Sequence, residues 1–223
     1  MIVGMWMSRN LLTIQPDTRI SEAASLMRDN GIRRLPIVRR DGDALLLLGL
    51  VSATDLYQAF PPHLNPFAVS TLAADAPQGA IEQIMRHQVV TTTAETPIED
   101  AASVMRDSKI GALPVVHGGH LIGLITESDI FRAFISILRD GADGVRVTFV
   151  TSAEEDVFAI LADRTQHRQV KVLSLMSSHR DGQTTYVVRM VGPDVQQTID
   201  DLWSSKHQIL NVLWPSPKLS DGA

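Results

Sequence analysis

The chain contains twice a short stretch that decides its fold. The first copy reads GLVSATD at residues 49–55, and the second reads GLITESD at residues 123–129. In both, apolar residues after a glycine are typical of a buried strand, and a hydroxyl residue followed three places later by an aspartate is typical of a helix start. The duplication extends well beyond these seven residues.

The duplication covers most of residues 1–138. Residues 13–38 align with residues 91–116, and residues 49–60 align with residues 123–134. Between these blocks the first copy has the longer loop. Such an internal repeat indicates two copies of one structural unit, and a unit this small needs a neighbour to bury its apolar face.

Each copy is predicted to fold as strand, helix, strand, strand, helix. Ile, Ala, Ala and Met recur at helical spacing in residues 20–27 and 98–105, which predicts an amphipathic helix in each copy. Thr96 to Glu99 has the pattern of a capping box, and Asn30-Gly31 is typical of a left-handed helix end. The remaining predicted elements are two strand pairs joined by glycine turns, 35–38 with 46–51 and 113–116 with 121–125, and two closing helices, 53–60 and 127–138.

Two breaks in the pattern divide the chain. A linker rich in proline and small residues covers residues 61–79, and DGADG at residues 140–144 ends the second copy. We therefore expect four regions. They are the first repeat with its linker (1–75), the second repeat (76–140), a third segment (144–214) and a loose tail (215–223).

The third segment has a different order of predicted strands and helices from the two repeats. It is predicted to form a strand at 145–150 and a helix at 152–163 with acidic residues in its first turn. A hairpin around Asp181-Gly182, a helix at 194–204 and a last strand at 209–214 follow. The order βαββαβ is the ferredoxin-like arrangement. The predicted class is therefore α+β.

The composition narrows the classes of function. The chain has no cysteine, which excludes a disulfide framework, a thiolate zinc site and a cysteine nucleophile. A net charge of −5 without a basic run argues against binding nucleic acid. The longest apolar run, residues 44–51, is too short to cross a bilayer, and the first residues lack the pattern of a signal peptide. We therefore expect a soluble cytoplasmic protein that binds neither nucleic acid nor membrane.

No familiar catalytic motif occurs in the sequence. A serine nucleophile elbow, a Walker loop, a zincin motif and a dinucleotide fingerprint are all missing. HGGH at residues 117–120 falls on a predicted turn without nearby carboxylates, so we expect no metal site. Trp203 and Trp214 are expected in the core of the third segment or in an interface. These observations predict a protein that is not an enzyme.

The hydroxyl and the aspartate of the repeated stretch admit two interpretations. Ser52 with Asp55, and Thr126 with Asp129, can satisfy the free amides of a helix start as a capping box. The same geometry suits a ligand, because a helix start attracts phosphate and a carboxylate accepts hydrogen bonds from a ribose diol. The two interpretations are compatible, and the residues alone leave both open.

Both copies resemble CBS (cystathionine-β-synthase-type) motifs. The resemblance rests on the opening Met7 or Met85, the Thr-x-x-x-x-Thr stretch before an Ala-Ala helix, the Leu-Pro-(Ile/Val)-Val strand and the closing glycine-to-aspartate stretch. A tandem pair of such motifs, or Bateman module, implies two clefts related by a pseudo-twofold axis. In this family such clefts commonly hold AMP, ADP, ATP or S-adenosylmethionine. Magnesium could accompany a nucleotide as a regulatory ligand, but no cofactor is required.

The resemblance also assigns roles to residues. The closing aspartate holds the ribose hydroxyls, the hydroxyl residue before it lies near phosphate or ribose, and the stretch before Leu-Pro lines the cleft. The residues implied to bind nucleotide are Thr13, Ile14, Arg33, Arg34, Ser52, Asp55, Thr91, Ile110, Gly111, Ala112, Pro114, Thr126 and Asp129. Because arginines precede Leu-Pro in the first copy and small residues do so in the second, the two clefts should not be equivalent.

The third segment resembles an ACT domain, a ferredoxin-like module that often binds amino acids. The usual Pro-Gly turn after the first strand is replaced here by residues 151–155, so dimerisation is the expected role. The order CBS, CBS, ACT resembles the bacterial acetoin-utilisation accessory proteins. We expect a homodimeric regulatory protein that senses adenine nucleotides and has a protein target still to be identified. The alternative is a structural interaction protein with degenerate clefts.

Overall fold

A computed structural model describes residues 1–68, 77–139, 143–152, 155–205 and 207–215. The chain forms two compact units, Met1–Phe134 and Ile135–Ala223. The predicted loose tail beyond Pro215, the middle of the linker and the loop around residue 141 lie outside the described residues. Among the described helices, none is long and apolar enough to cross a membrane.

The N-terminal unit contains the two repeats. In each, a helix is followed by a β-hairpin and a second helix, and α4 runs past the boundary of the unit. The elements are α1 (Ile20–Asp29), β1 (Arg34–Asp41), β2 (Ala44–Ser52), α2 (Ala53–Ala59), α3 (Ile98–Ser108), β3 (Ala112–His117), β4 (His120–Thr126) and α4 (Glu127–Arg139), with short 3-10 turns at Val3–Met5 and Ile81–Gln83.

The hairpins of both repeats join into one four-stranded sheet of order β1-β2-β4-β3. All pairings are antiparallel, and the repeats meet where Leu46 of β2 pairs with His120 of β4. Exchanging the two repeats maps this strand order onto itself. Each hairpin also carries a bulge at the same place, after Ile37 in β1 and after Val115 in β3. The unit therefore has the pseudo-twofold symmetry implied by the repeat.

The opening segment of each repeat packs against the core of the other repeat. Val3 and Met7 are buried with α3, β3 and β4 of the second repeat. Ile81 and Met85 are buried in the core of the first repeat. Backbone hydrogen bonds fix this exchange, because Ser8 pairs with Leu124 in the same way that Arg86 pairs with Leu50. Each core therefore depends on residues from both copies.

Two glycines of the repeated stretch make room for the exchanged segments. A Cβ at Gly123 would lie 3.1 Å from the carbonyl oxygen of Ser8 and would also collide with the side chain of Met7. At Gly49 a Cβ would lie 2.8 Å from the carbonyl oxygen of Arg86 and 3.1 Å from the sulfur of Met85. At Gly49 this backbone contact is closer than real Cβ atoms show, and at Gly123 Met7 and the backbone of Ser8 would have to shift, so the close packing favours glycine at both positions.

Two predictions for the repeats were wrong. The predicted first strand of each copy consists only of isolated bridges, Ile14 with Ile37 and Thr92 with Val115. The predicted capping box at Thr96 is not formed, because its hydroxyl accepts a hydrogen bond from the amide of Thr93 instead, and α3 begins at Ile98 without a side-chain cap. A backbone carbonyl, that of Met1, satisfies the amide of Ile98.

The left-handed helix end predicted after α1 is confirmed, and α3, for which none was predicted, ends in the same way. Gly31, after α1, has φ 63°, and Lys109, after α3, has φ 53°. Glycine adopts this conformation freely, whereas a lysine does so at some cost in free energy. Ile110 then donates its amide to the carbonyl of Met105, as Ile32 does to Met27, so the lysine preserves the geometry of the turn.

The C-terminal unit is a four-stranded antiparallel sheet of order β6-β7-β5-β8 with two helices packed on one face. Its elements follow in the order strand, helix, strand, strand, helix, strand. They are β5 (Val145–Ser152), α5 (Val157–Thr165), β6 (Lys171–Arg180), β7 (Gln183–Val191), α6 (Val195–Ser204) and β8 (Gln208–Leu213).

One expectation for this unit was wrong. The helix predicted from residue 152 begins at Val157, because β5 extends to Ser152 and Asp156 caps the helix by accepting the amides of Phe158 and Ala159. Of the two alternatives for Trp203 and Trp214, the core is excluded, since both are more than half exposed, and a role in an interface stays a prediction. The core consists of aliphatic residues around Phe149 instead.

Candidate functional site

The repeated stretch forms a complete capping box in the first repeat. Asp55 Oδ2 accepts hydrogen bonds from the amide of Ser52 at 2.8 Å and from its hydroxyl at 2.5 Å. The hydroxyl of Ser52 in turn accepts the amide of Asp55 at 3.4 Å. The capping interpretation is therefore correct, and the cap fixes the orientation of the carboxylate at the start of α2.

The second repeat reproduces this geometry at the start of α4. Asp129 Oδ2 accepts the amide of Thr126 at 2.9 Å and its hydroxyl at 2.7 Å. The hydroxyl of Thr126 accepts the amide of Asp129 at 3.4 Å. Because β2 leads directly into α2, and β4 into α4, each strand places its aspartate at the same position relative to the sheet.

The second oxygen of each carboxylate faces an arginine. Asp55 Oδ1 lies 3.2 Å from Arg86, which follows the opening methionine of the second repeat. Asp129 Oδ1 lies 3.0 Å from Arg132, which is one turn further along α4. Both carboxylates are buried, whereas both arginine side chains are more than half exposed. The partner of each buried charge therefore lies at the solvent-exposed edge of the site.

One cleft, the Asp55 cleft, lies where α2 begins. Its cavity volume is about 410 Å³, which is large enough for a small organic ligand. The cleft combines the buried carboxylate of Asp55, four basic side chains and several apolar side chains. Its lining residues are Arg33, Arg34, Leu50, Ser52, Ala53, Thr54, Asp55, Arg86, Gln88, Val89, Val90, Lys109, Ile110, Gly111 and Ala112.

The other cleft, the Asp129 cleft, lies where α4 begins and has a cavity volume of about 650 Å³. It contains the second carboxylate and a more polar lining. Its residues are Ser8, Asn10, Leu11, Leu12, Asn30, Gly31, Ile32, Arg33, Arg34, Pro36, Gly111, Leu124, Thr126, Glu127, Ser128, Asp129 and Arg132. Both clefts lie within the N-terminal unit, and each takes residues from both repeats.

Arg33 and Arg34 line both clefts. The guanidinium of Arg34 lies directly against the Cα of Gly111, where a Cβ would collide with it and would lie 2.7 Å from Glu127. Burial lowers the pKa of Arg34, and the charge of Arg33 lowers it further, while Glu127 acts in the opposite direction. The exposed Arg33 and the half-buried Arg34 are neighbouring cations, and together they form an electrostatic site that favours an anion.

Most of the predicted site residues lie in the two clefts. The Asp55 cleft is lined by Ser52, Asp55, Ile110 and Ala112, and the Asp129 cleft is lined by Thr126 and Asp129. Both clefts are lined by Arg33, Arg34 and Gly111, which lie in the stretch before Leu-Pro. The predicted split between an arginine-lined and a glycine-lined cleft is wrong. The reason is the twofold arrangement, which places the stretch before Leu-Pro between the clefts, so that Arg33, Arg34 and Gly111 each face both.

Four predicted residues line neither cleft. Ile14 and Pro114 are buried, and their backbones hold strands together, since Ile14 pairs with β1 and Pro114 accepts the amide of Thr92. Thr91 is exposed, and Thr13 is half-buried beside Ile14. The implied role of these four residues in nucleotide binding therefore stays a prediction, without support from the cleft linings.

Sequence reasoning missed both arginines that face the carboxylates. Arg132 is three residues after Asp129, a spacing that places the two side chains on one helix face and could have indicated the pair. Arg86 follows Met85 directly, but only the exchange of opening segments brings it to Asp55. Val89 and Val90, which follow Arg86, were missed for the same reason. Lys109, at the end of α3, was also missed, because the turn after this helix was not expected to line the Asp55 cleft.

The arrangement suits binding better than catalysis. Each carboxylate is fixed by its cap and paired with a cation, so neither is placed as a free general base. In the part of the chain that the structure describes, no group of three or more His, Asp or Glu side chains could hold a metal ion. His120 instead contacts Asp41 at 3.0 Å.

Comparison with known proteins identifies the repeats. The profile described as CBS domain matches residues 3–61 and 81–136. A CBS domain-containing protein of Dictyostelium discoideum is 34% identical over 142 residues, which cover 61% of this chain and 93% of the relative. The matched region covers a smaller share of other curated relatives, for example 32% of a Methanocaldococcus jannaschii protein that is also 34% identical.

Solved structures match the same region. A crystal structure of CBSX2 in complex with AMP has a TM-score of 0.51 and 27% identity, covering 61% of this chain and 97% of the other. The CBS domain pair of protein MJ0100, in complex with 5′-methylthioadenosine and S-adenosyl-L-methionine, has a TM-score of 0.49 and 28% identity, and the match covers 61% of this chain and 97% of the other. A putative acetoin utilization protein (AcuB) from Vibrio cholerae has a TM-score of 0.49 and 32% identity, and the match covers 62% of this chain and 93% of the other.

Proposed function

The chain belongs to the CBS domain family, and on that premise we propose that it is a non-catalytic regulatory protein that binds an adenine nucleotide in one or both clefts. AMP, ADP, ATP and S-adenosylmethionine are the candidate ligands, and the CBSX2 complex with AMP supports this class. Occupancy changes the shape of a dimer or its affinity for a protein target. Magnesium, where present, accompanies the nucleotide.

The observation that carries the proposal is the repeated placement of a buried, rigidly held carboxylate beside Arg33 and Arg34. The cap engages Oδ2 of Asp55 and of Asp129, and each oxygen of a carboxylate has two acceptor positions. A ribose diol that displaces the exposed arginine from Oδ1 can therefore donate to that oxygen while the cap stays intact. Phosphates are then expected to contact the two shared arginines, because a guanidinium matches phosphate geometry.

The apolar part of each cleft suits an adenine ring. Leu50, Val89 and Val90 line the Asp55 cleft, and Leu11 and Leu12 line the Asp129 cleft. An aromatic base buries much of its surface against such side chains, while the polar groups determine its orientation. The apolar side chains, the carboxylate and the arginines thus correspond to the base, the ribose and the phosphates of a nucleotide.

Thermal unfolding of the purified protein tests the proposal. A ligand at a hundred times its dissociation constant stabilises the native state by about 2.7 kcal/mol, which raises the melting temperature by about 5–10 °C. We expect such a shift with AMP, ATP or S-adenosylmethionine and none with ribose or adenine alone at the same concentration. The absence of a shift with every adenosine ligand at millimolar concentration would favour a structural protein with degenerate clefts.

The C-terminal unit is proposed to be an ACT-like domain with a role in dimerisation. The strand order β6-β7-β5-β8 with both helices on one face supports a ferredoxin-like fold. On the resemblance to the acetoin-utilisation accessory proteins, the two units are proposed to serve one regulatory function in a soluble, cytoplasmic protein.

Apolar side chains on α4 predict self-association. Phe131, Phe134, Ile135 and Leu138 are exposed and recur at a spacing that places them on one helix face. We expect a homodimer at micromolar concentration by light scattering, because such a face is rarely left in water. Replacement Ile135→Glu should shift the equilibrium towards monomer, whereas Ser136→Glu, on the opposite side of the helix, should not. A wild-type monomer at this concentration would contradict the prediction.

A further inference from the structure

Two arginines lie directly opposite each other on the C-terminal sheet. Arg146 of β5 pairs with Arg189 of β7, and Arg189 pairs with Ser174 of β6. Directly opposite residues of an antiparallel pair point to the same face, with Cβ atoms about 5 Å apart. Their strand neighbours Val147 and Val188 are buried under the helices, so the arginines and Ser174 lie on the opposite face.

The charges of this arginine pair are not neutralised within the described residues. Neither guanidinium has a hydrogen-bonded or ion-paired side chain there, and the Nε atoms of both arginines are buried without a partner. The hydroxyl of Ser174 is buried without a partner as well. None of the four strands contains an aspartate or a glutamate, so the sheet itself offers no carboxylate.

Like charges directly opposite on neighbouring strands destabilise a sheet, and each buried donor without a partner adds a desolvation cost. An anion between the two guanidiniums would offset both costs. We propose that this face of the C-terminal sheet binds an oxyanion, a phosphate or carboxylate group, between Arg146 and Arg189, with Ser174 as a further donor. The site lies within the C-terminal unit and is independent of the two nucleotide clefts.

The surroundings restrict the kind of ligand. Thr148, two residues after Arg146 on the same face, and Asn211, which pairs with Thr148, add a hydroxyl and an amide beside the arginines. Val187, on the same face as Arg189, supplies apolar surface. The site therefore suits a small molecule that carries the anionic group on a compact, partly polar body.

Arginine side-chain signals in nuclear magnetic resonance spectra test the proposal on the full-length protein. The Nε–H signals of Arg146 and Arg189 are assigned by single substitution and followed during titration with sodium phosphate and, separately, sodium succinate. We expect both signals to shift saturably with one of the two anions. Half-saturation is expected at about 1 mM, as for a weak site that binds a single anionic group. The responsive anion shows whether the site prefers phosphate or carboxylate.

Variants and a reference salt make the result specific. Arg189→Gln should weaken the response of the Arg146 signal about tenfold or more, and Arg189→Lys, which keeps the charge, should weaken it less. Arg180→Gln, at the far end of β6, should change nothing. The proposal is wrong if neither anion produces a saturable shift, or if sodium chloride at equal ionic strength produces the same shift. It is also wrong if the signals shift only when the protein concentration changes, because the arginines would then lie in a contact between copies of the chain.

Discussion

Met7→Ala is expected to lower the free energy of unfolding of the N-terminal unit by about 2–5 kcal/mol, although Met7 belongs to no helix or strand. The side chain is buried in the core of the second repeat, where it packs against Gly123. Its removal leaves a cavity where segments of both repeats meet. Urea denaturation followed by circular dichroism measures the change.

A matched substitution in the same segment separates packing from local effects. Met5 is 67% exposed, so Met5→Ala should change the free energy of unfolding by less than about 0.5 kcal/mol. Hydrogen exchange should then show that Met7→Ala weakens the protection of β3 and β4 more than that of α1. Equal effects of the two substitutions would mean that the opening segment does not stabilise the second repeat.

Asp55→Asn and Asp129→Asn are expected to weaken nucleotide binding at their own clefts by about 1.5–3 kcal/mol, the range for hydrogen bonds to charged groups. Asparagine keeps one oxygen that can accept the capping amide, so the fold loses little stability. It removes the negative charge and, with its oxygen held in the cap, replaces Oδ1, the proposed acceptor for the ribose hydroxyls, by an amide that only donates. Equilibrium dialysis with labelled AMP and labelled ATP measures the two affinities.

The two variants should differ in their preference for AMP over ATP. Arg33 and Arg34 face both clefts, but Lys109 lines only the Asp55 cleft, whereas Glu127 lines only the Asp129 cleft. A polyphosphate is therefore favoured beside Asp55 and disfavoured beside Asp129. Ser52→Ala serves as the control for the cap, since it should cost stability without a comparable loss of affinity.

Sequence patterns were sufficient where the determinants are local. The hairpins, their glycine turns, the left-handed helix ends and the capping aspartates each depend on a few adjacent residues, and the periodicity within α1 and α3 predicts their buried faces. The internal repeat also predicted two copies of one unit that bury their apolar faces together, and the resemblance to CBS motifs implied their pseudo-twofold relation.

The exchange of opening segments could not be predicted in this way. Nothing in Met7 or Met85 indicates which of two nearly identical cores receives the side chain, since both cores offer a glycine at the matching position. Part of each cleft was missed as a result. Arg86 reaches Asp55 only through this exchange. The stretch before Leu-Pro faces both clefts rather than one, and Lys109, directly before it, lines the Asp55 cleft.

The start of α5 illustrates a second limit. Acidic residues near Ser152 suggested a helix start, but the pairing of β5 with β7 extends the strand to this residue, and Asp156 provides the cap. The exposed Trp203 has a similar explanation, because α6 buries its Val195, Ile199 and Leu202 face and leaves Trp203 on the other side. Tertiary packing decided both cases.

Calorimetric titration of AMP into the wild-type protein and into the double variant Asp55→Asn/Asp129→Asn tests the central claim most directly. Saturable binding to the wild type is expected, with an affinity at least about tenfold lower in the double variant, whose unfolding curve should stay close to that of the wild type. Unchanged affinity in a folded double variant would show that the two carboxylates do not hold the nucleotide. No binding of AMP, ATP or S-adenosylmethionine to the wild type would contradict the proposed function itself.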